Sequence, residues 1–469
     1  MLRIHNTLSR EKEPFKPLQE GRVTMYCCGP TVYDTPHLGN YRSFVTSDNV
    51  RRYLEYLGYE VKQVMNITDI DDKTIRRSGE EGQPLAEYTL RYEKAFMDGL
   101  GKLNVLPAER YPRATENVDS MIENVEALER KGFAYESGGS VYFNVARFPD
   151  YGNLSGVDIS SVRPGARVNV DEYDKENPRD FALMKKSTKS EVERGIYFDS
   201  KWGKVRPGWH IECSTLATKY LGPTIDIHTG GVDLIFPHHE NEIAQAESRT
   251  GESFVRYWIH GEHLMVDGEK MSKSIGNIVN LEDVLKEYSA DVIRYMFAST
   301  HYRRTLDFTR ETAENARNNY ERLMNAYSDL LFAERTSVES PDRGEDAFID
   351  EIEEAERRFR ESMDDDFNGP AALGVFHEIA KSLNRYLLEY RNREVLQRFK
   401  GLFDDFAFVL GLSFPKPLEL TPEQAEMIRS REELRRSQRW QEADEIRSDL
   451  RAQGLILEDT DWGTKWRRA

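Results

Sequence analysis

Residues Arg22–Asn40 read RVTMYCCGPTVYDTPHLGN, and how this stretch divides decides the fold. RVTMYCCG is a β-rich run stopped by Gly29-Pro30. After TPHLGN, the stretch YRSFVTSDNVRRYLEYLGYE sets Phe44, Val50, Leu54 and Leu57 near one face of a helix. Gly58 closes that helix at its C-terminal cap, and VKQVMNITDI follows as a second buried strand. Strand, loop, helix and strand in this order form a βαβ unit and therefore a parallel sheet. Ligands of such sheets bind beyond the carboxyl ends of the strands, where CCGPTVYDTPHLGN and NITDIDDK both fall. Cys27 and Cys28 are successive strand residues, so they face opposite sides and cannot both address one site. A bond between them would need a strained ring. Alternation alone does not say which of the two points at a ligand.

Working outward, 469 residues exceed one core and imply about three domains. No apolar run approaches the ~20 residues needed to span a bilayer, and MLRIHNTLSREKEPFKPL lacks the apolar region of a signal peptide. Three cysteines cannot build a disulfide framework, which predicts a reducing, cytoplasmic setting. A formal charge of −17 excludes a protein that coats nucleic acid indiscriminately. It leaves room for a specific RNA partner held by local basic patches. From Gly138 to Lys201, GGSVYFNV, scattered Gly and Pro, and polar runs such as DEYDKENPRD predict a β-rich insertion. TIDIHTGGVDLIF restores strand character, and PHHENEIAQAES opens a helix with Pro237 near its first position. The pattern is then mostly helical from Leu281 to Leu412, interrupted by ERTSVESPDRGED, and SFPKPLELTPE links to a small final module.

Three constellations can carry chemistry. HLGN (His37–Asn40) lies between a strand and a helix N-terminus, where free N–H groups and the helix dipole attract phosphate. His37 and Asn40 add side-chain donors there, although a plain turn with a capping histidine fits the same four residues. KMSKSIGN (Lys270–Asn277) spaces two lysines by three in a Ser/Gly-rich stretch. A mobile loop of this kind can close on phosphates and neutralise the charge of a leaving pyrophosphate. PHHENE sets His238 and Glu242 four apart on one helical face, with His239 and Glu240 directed elsewhere. Cys213 in GWHIECS lies 25 residues before His238. With one of the opening cysteines, these residues form a two-Cys, one-His, one-Glu set suited to tetrahedral zinc. A core hydrogen bond for His238 and a small buried hydrophobe at Cys213 explain the same residues equally well.

Together these strings resemble the class I aminoacyl-tRNA synthetases. HLGN is similar to that family's first signature and KMSKS matches its second. YCCGPTVYD, NITDIDDK, RPGWHIECS, GGVDLIFPHHENEIAQ and HYRRTLDF resemble its cysteine-specific branch. The resemblance spans essentially the whole chain. It implies a Rossmann-like parallel-sheet catalytic domain with a β-rich insertion, then an α-helical bundle and a small C-terminal anticodon-binding module. The implied boundaries are 1–137 and 202–250 for the catalytic halves, and 138–201 for the connective insertion. Residues 251–305 would form the KMSKS-bearing stem-contact region, 306–412 the bundle and 420–469 the C-terminal module.

The resemblance also implies the chemistry. Cys28, Cys213, His238 and Glu242 would hold one zinc ion per chain, which takes the thiolate of an L-cysteine substrate and rejects serine. Cys27 would be a core residue. Gly29, Thr68 and Trp209 would surround the bound cysteine. His37 and Asn40 would contact the phosphates of ATP, Gly230, Gly231 and Asp233 would face adenosine, and Lys270 and Lys273 would close as pyrophosphate leaves. Magnesium would accompany ATP, and tRNA(Cys) would accept the activated cysteine. The implied protein is a cytoplasmic monomer without a membrane segment.

Arg435, Trp440, Asp444 and Asp459 would read anticodon bases, by stacking and by hydrogen bonds to splayed base edges. As a core residue of a small helical hairpin, Trp440 would fit equally well. Between Ser430 and Ala469 nine basic and nine acidic residues balance, so this module is neutral within an acidic chain. Asn40 departs from the second histidine of the family's first signature. It can donate to phosphate but adds no charge. Two rival readings are a cysteine ligase of mycothiol synthesis, which shares the adenylation but uses an amino-sugar acceptor, and a non-catalytic zinc-stabilised RNA-binding protein. LEDTDWGTKW argues against the first, because an amino-sugar ligase needs no anticodon module. Intact KMSKS and HLGN argue against the second.

Overall fold

The computed structural model describes residues 1–157, 179–271, 276–337, 345–414, 418–460 and 463–468. The chain divides into two compact units. One comprises Met1–Arg317, Glu361–Ala372 and Val409–Leu412, and the other holds the remaining residues.

In the first unit the opening stretch does form the strand Arg22–Cys27 and the helix Leu38–Tyr56, followed by the strand Glu60–Met65. Gly58, at φ 90°, sits just past the helix end where a left-handed residue is wanted. Two further strands, Ile225–Gly231 and Val255–Gly261, complete a four-stranded parallel sheet. The sheet order is Val255–Gly261, Ile225–Gly231, Arg22–Cys27, Glu60–Met65. The first of these four strands, Arg22–Cys27, therefore neighbours the third as well as the second. That reversal is a topological switch point, where α/β sheets open a crevice at their carboxyl ends. Cys28 and Gly29 follow one of the two strands that flank it, and Val232 follows the other.

The β-rich character expected of 138–201 is there, but the sheet is wider than those bounds: five antiparallel strands ordered Ala134–Ser137, Ser140–Phe143, Phe181–Lys186, Gly203–Pro207, Phe198–Ser200. Its inner face, with Phe143, Leu183 and Val205, shares one buried cluster with Tyr26, Val64, Ile225 and Trp258 of the parallel sheet. The helix Trp209–Leu221 begins two residues after the Gly203–Pro207 strand and carries Cys213 into that cluster. Insertion and parallel sheet thus share the core that places the site.

A buried ion network fastens the helix Leu38–Tyr56. Asp48 receives Arg52 at 2.7 Å and Arg294 at 2.6 Å, and Arg294 also donates to Asn49 Oδ1 and the carbonyls of Leu103 and Leu410. Replacing Arg294 with methionine is expected to leave Asp48 short of a cation in the interior. Breaking a buried pair in this way costs about 3–5 kcal/mol. The urea unfolding midpoint should fall accordingly, and a shift worth less than about 1 kcal/mol would remove this role.

The second unit takes in most of the helix Arg310–Arg335 and parts of the helices Asp346–Asp364, Gly369–Glu389 and Arg393–Leu410, packed through stacked Phe359 and Phe406. It ends in two helices, Pro422–Arg436 and Trp440–Ala452, and an antiparallel hairpin, Leu455–Thr460 with Gly463–Arg468. Ile428, Leu450, Leu455 and Leu457 form the core of this last module. Among the described residues no helix is long and apolar enough to cross a membrane.

Candidate active site

At the switch point four side chains from three segments converge. Cys28 leaves the end of its strand, Cys213 comes from the second turn of Trp209–Leu221, and His238 and Glu242 come from the turn and helix after Ile225–Gly231. Cys28 Sγ lies 3.7 Å from Cys213 Sγ and 3.5 Å from Glu242 Oε1, and His238 Nε2 lies 3.0 Å from the same oxygen. All four are buried, with donor atoms mutually within 4.8 Å, a group that could hold a metal ion. Cys27 points away into the core, 2% exposed.

The four groups shift one another's ionisation. Burial opposes ionisation of Cys213, but hydrogen bonding from Cys28 and the charge of His238 bring it down to about 6. Burial likewise opposes the charge on His238, yet Glu242 and Cys213 hold its imidazole up to about 10. Glu242 stays ionised against burial because His228 and His238 flank it. Cys28 is pushed well up, first by burial and then by Cys213.

His239 differs from the sequence expectation. Its Nε2 lies 3.3 Å from Cys28 Sγ, so the ring points into the cluster. Phe236 is extended and helical dihedrals begin at Pro237, as expected, with a π-turn through His239 leading into the regular helix Glu240–Thr250. His239 stands three residues before Glu242, a spacing that a helix also sets on one face, and its Nε2 lies 3.9 Å from Glu242 Oε1. Glu240 does turn away, receiving the N–H groups of Gly152 and Ser155. A second set, Cys28, His228, His239 and Glu242, also lies within 4.8 Å. His228 Nε2 contacts Glu242 Oε2 at 2.9 Å, and His239 Nδ1 contacts His260 at 2.7 Å. Reading HTGG only for its glycines passed over His228.

The residues expected around a bound amino acid line the same cluster. Trp209, 37% exposed, stacks on His238 at 4.2 Å between centroids. Thr68 donates to buried Glu212 at 2.5 Å. Gly29 donates its N–H to Asn66 Oδ1, and a Cβ there would sit 1.6 Å from the Asn66 carbonyl oxygen, so only glycine fits. Gly230 is constrained similarly, since its Cβ would come within 2.6 Å of the His239 ring. Gly231 ends its strand, and Asp233 is exposed just beyond.

The two signature motifs meet. His37 caps the helix Leu38–Tyr56 by accepting from Asn40 N, while Asn40 Oδ1 accepts from His37 N. The capping role and the helix N-terminus thus coexist. Leu38 N donates to Val279 O at 2.8 Å, and Met271 packs over Gly39. Buried Arg42 donates to the carbonyls of Glu262, His263 and Arg304, pinning the same helix to the segment that carries Lys270. Lys270 Nζ lies 3.4 Å from His263 Nε2. Lys273 lies outside the described residues.

Residues 14–318 match the model of the tRNA synthetases class I (C) catalytic domain, 358–415 the DALR domain, and 418–467 the cysteinyl-tRNA ligase anticodon binding domain. The cysteine–tRNA ligase of Methanosarcina mazei is 52% identical over 100% of this chain and 99% of that protein. The Bacillus licheniformis cysteine–tRNA ligase is 45% identical over the same shares. The chain belongs to the cysteine–tRNA ligase family.

Two solved structures share the fold at lower identity. A Mycobacterium tuberculosis methionyl-tRNA synthetase in complex with methionyl-adenylate has a TM-score of 0.61 and 16% identity, over 83% of this chain and 89% of that one. A leucyl enzyme of Agrobacterium radiobacter K84, titled as the ternary complex of LeuRS, tRNA and LeuAMS, has a TM-score of 0.63 and 10% identity, over 85% of each chain.

In the ligase family's anticodon module, the structure groups Arg435, Trp440 and Asp459. The Arg435 guanidinium lies 5.5 Å from the Trp440 ring centroid and 3.1 Å from Asp459. Trp440 is 54% exposed, which overturns its reading as a core residue. Asp459 is held by Arg431 through two hydrogen bonds of 2.6 and 2.8 Å, so its carboxylate is already engaged. Asp444 is exposed on the next helix.

Proposed function

We propose that the protein activates L-cysteine with ATP, giving cysteinyl-adenylate and pyrophosphate, and then transfers cysteine to the 3′-terminal adenosine of tRNA(Cys). The observation that carries this reading is the Cys28–Cys213–His238–Glu242 cluster at the switch point, beside the two phosphate motifs. A binding protein without catalysis has no use for paired phosphate motifs. An amino-sugar ligase has none for a domain matching the family's anticodon model at 418–467.

The donor set fits zinc. A tetrahedral ion with Zn–S of ~2.3 Å has S···S edges of ~3.8 Å, close to the 3.7 Å between Cys28 and Cys213. When bound, zinc supplies a soft Lewis acid that prefers a substrate thiolate to a hydroxyl. His210 Nδ1, 2.9 Å from His238 Nδ1, orients the imidazole so that Nε2 faces Glu242. Glu242, the hardest of the four ligands, is the one that loosens, and it keeps His228 as a partner on its other oxygen.

Gly29, Thr68 and Trp209 enclose the amino acid, with its carboxylate directed at the α-phosphate of ATP. His37 and Asn40 meet the phosphates at the helix N-terminus, with the Asn40 amide nitrogen as donor and magnesium accompanying the nucleotide. Gly230, Gly231 and Asp233 face adenosine. The carboxylate attacks the α-phosphorus, the bond to the bridging oxygen breaks, and Lys270 and Lys273 take up the charge of departing pyrophosphate. The terminal 2′-hydroxyl of tRNA then attacks the carbonyl carbon of the mixed anhydride; the ester forms, the bond from that carbon to the phosphate oxygen breaks, and AMP leaves, its phosphate taking the hydroxyl proton. No side chain becomes a covalent nucleophile; the protein contributes position and charge.

Cysteine-dependent exchange of pyrophosphate into ATP, followed by charging of tRNA(Cys) transcripts, tests the reading. Adenylate formation without charging of any cysteine tRNA would defeat it. Lys270→Ala is expected to lower the exchange rate by about 10²-fold, the effect of removing one preorganised donor to a developing anion. A drop confined to cysteine affinity would place Lys270 elsewhere.

A further inference from the structure

The helix Pro422–Arg436 divides its arginines between two faces. Arg431 and Arg435, four apart, both reach Asp459 on one side. Arg429, Glu432 and Arg436 follow the three-and-four spacing of the adjoining face, where they line a cavity of about 550 Å³. Phe332, Arg335 and Trp466 are among its other walls. The Trp466 ring is fixed, since its Nε1 donates to the Leu418 carbonyl at 2.9 Å, and the Arg335 guanidinium lies 4.9 Å from its centroid. Glu432 is already engaged, accepting from Thr464 N at 2.9 Å, and Arg429 is paired with Glu426. Arg335 and Arg436 are exposed. The result is a cationic, aromatic-walled cavity in a protein of net charge −17.

A ligand for such a place must be flat on one side and anionic on the other. The volume falls in the range of about 300–1,000 Å³ that accepts a small-molecule-sized group. Bases of single-stranded RNA stack on aromatic rings and guanidinium planes, and arginine binds phosphate through its planar fork. The cavity adjoins the face that carries Arg435, and Arg431 donates across the border to Thr464 Oγ1, a lining residue, at 3.5 Å. We propose that the cavity takes one unpaired nucleotide of the tRNA anticodon arm, its base against Arg335 and Trp466 and its phosphate on Arg436. The site rests on tRNA being the acceptor and adds a second contact on the adjoining face of the same helix.

The test uses the full-length protein with Arg335→Ala, Arg436→Ala and the double variant, plus Arg436→Lys as a charge-preserving rescue. Pyrophosphate exchange, which needs no tRNA, reports on folding, and charging kinetics report on the cavity. The KM for tRNA should rise about 10-fold per alanine substitution, with kcat little changed, and lysine at 436 should restore part of the loss. The salt slope of tRNA binding should fall by about one for the lost phosphate contact. Chemical probing should show one anticodon-arm nucleotide protected by the wild type and exposed with the double variant. An unchanged tRNA KM and unchanged protection in a charging enzyme overturn the inference alone. Adenosine monophosphate binding that is lost in Arg436→Ala while tRNA KM stays constant makes the cavity a free-nucleotide site and also overturns it. A wild type that makes adenylate but charges no tRNA overturns the functional reading, and this inference with it.

Discussion

Cys213→Ser is expected to lose tightly bound zinc and, with it, productive use of cysteine. Zinc sites built from four protein ligands hold their ion by about 10–16 kcal/mol near neutral pH. One ligand's share is then about 3–4 kcal/mol, or about 10²–10³-fold in affinity. Serine at this position has almost the same size but offers no thiolate, whereas Cys213 is brought down to about 6 by its neighbours. The loss should appear as metal content well below one per chain after dialysis against a chelator. Cysteine-dependent exchange should fall in parallel. Cys27→Val is the control: that side chain lies 2% exposed in the core, and valine should retain both metal and activity. A Cys213→Ser protein that keeps one zinc per chain and the wild-type KM for cysteine would end this assignment.

The fold and most of the site were legible because they rest on short-range regularities. Alternation, helical spacing and a terminal glycine mark strand, helix and strand from Arg22 to Met65, and a parallel sheet has only one end at which to bind ligands. Which residues converge there was less legible where one helical face offers more than one candidate. Four-residue spacing singles out His238, but His239 is three before Glu242, which a helix also brings to one face, so its ring reaches Glu242 and Cys28. His228 sits in a strand whose glycines drew the eye, yet it holds the second oxygen of Glu242. Trp440 has the size of a core residue, but Ile428, Leu450, Leu455 and Leu457 already fill the module's core, and the indole is left exposed. Asp459 shows the converse. A strand carboxylate looks available to a base until Arg431, fully buried, is found to occupy it.

Discrimination between cysteine and serine is expected to reach about 10⁴-fold in kcat/KM for pyrophosphate exchange. The two amino acids differ by one atom of similar size, and shape alone yields only about 10–200-fold. The polar groups around the amino-acid position offer little else that could tell them apart. The Gly29 N–H is taken by Asn66 and the Thr68 hydroxyl by Glu212, while Trp209 stacks on His238. A soft ion held by Cys28, Cys213, His238 and Glu242 gains a coordinate bond from a thiolate and almost nothing from a neutral hydroxyl. The preference is therefore as large as for sites whose buried partner is left unpaired by the wrong substrate, about 10⁴–10⁵-fold. Measuring exchange with each amino acid, before and after zinc removal, separates shape from coordination. The ratio should collapse to about 10²-fold or less in the stripped protein and return when zinc is restored. A native ratio below about 200-fold, or one that ignores zinc removal, would mean that the pocket selects by shape and that the buried cluster serves only to hold the three segments together.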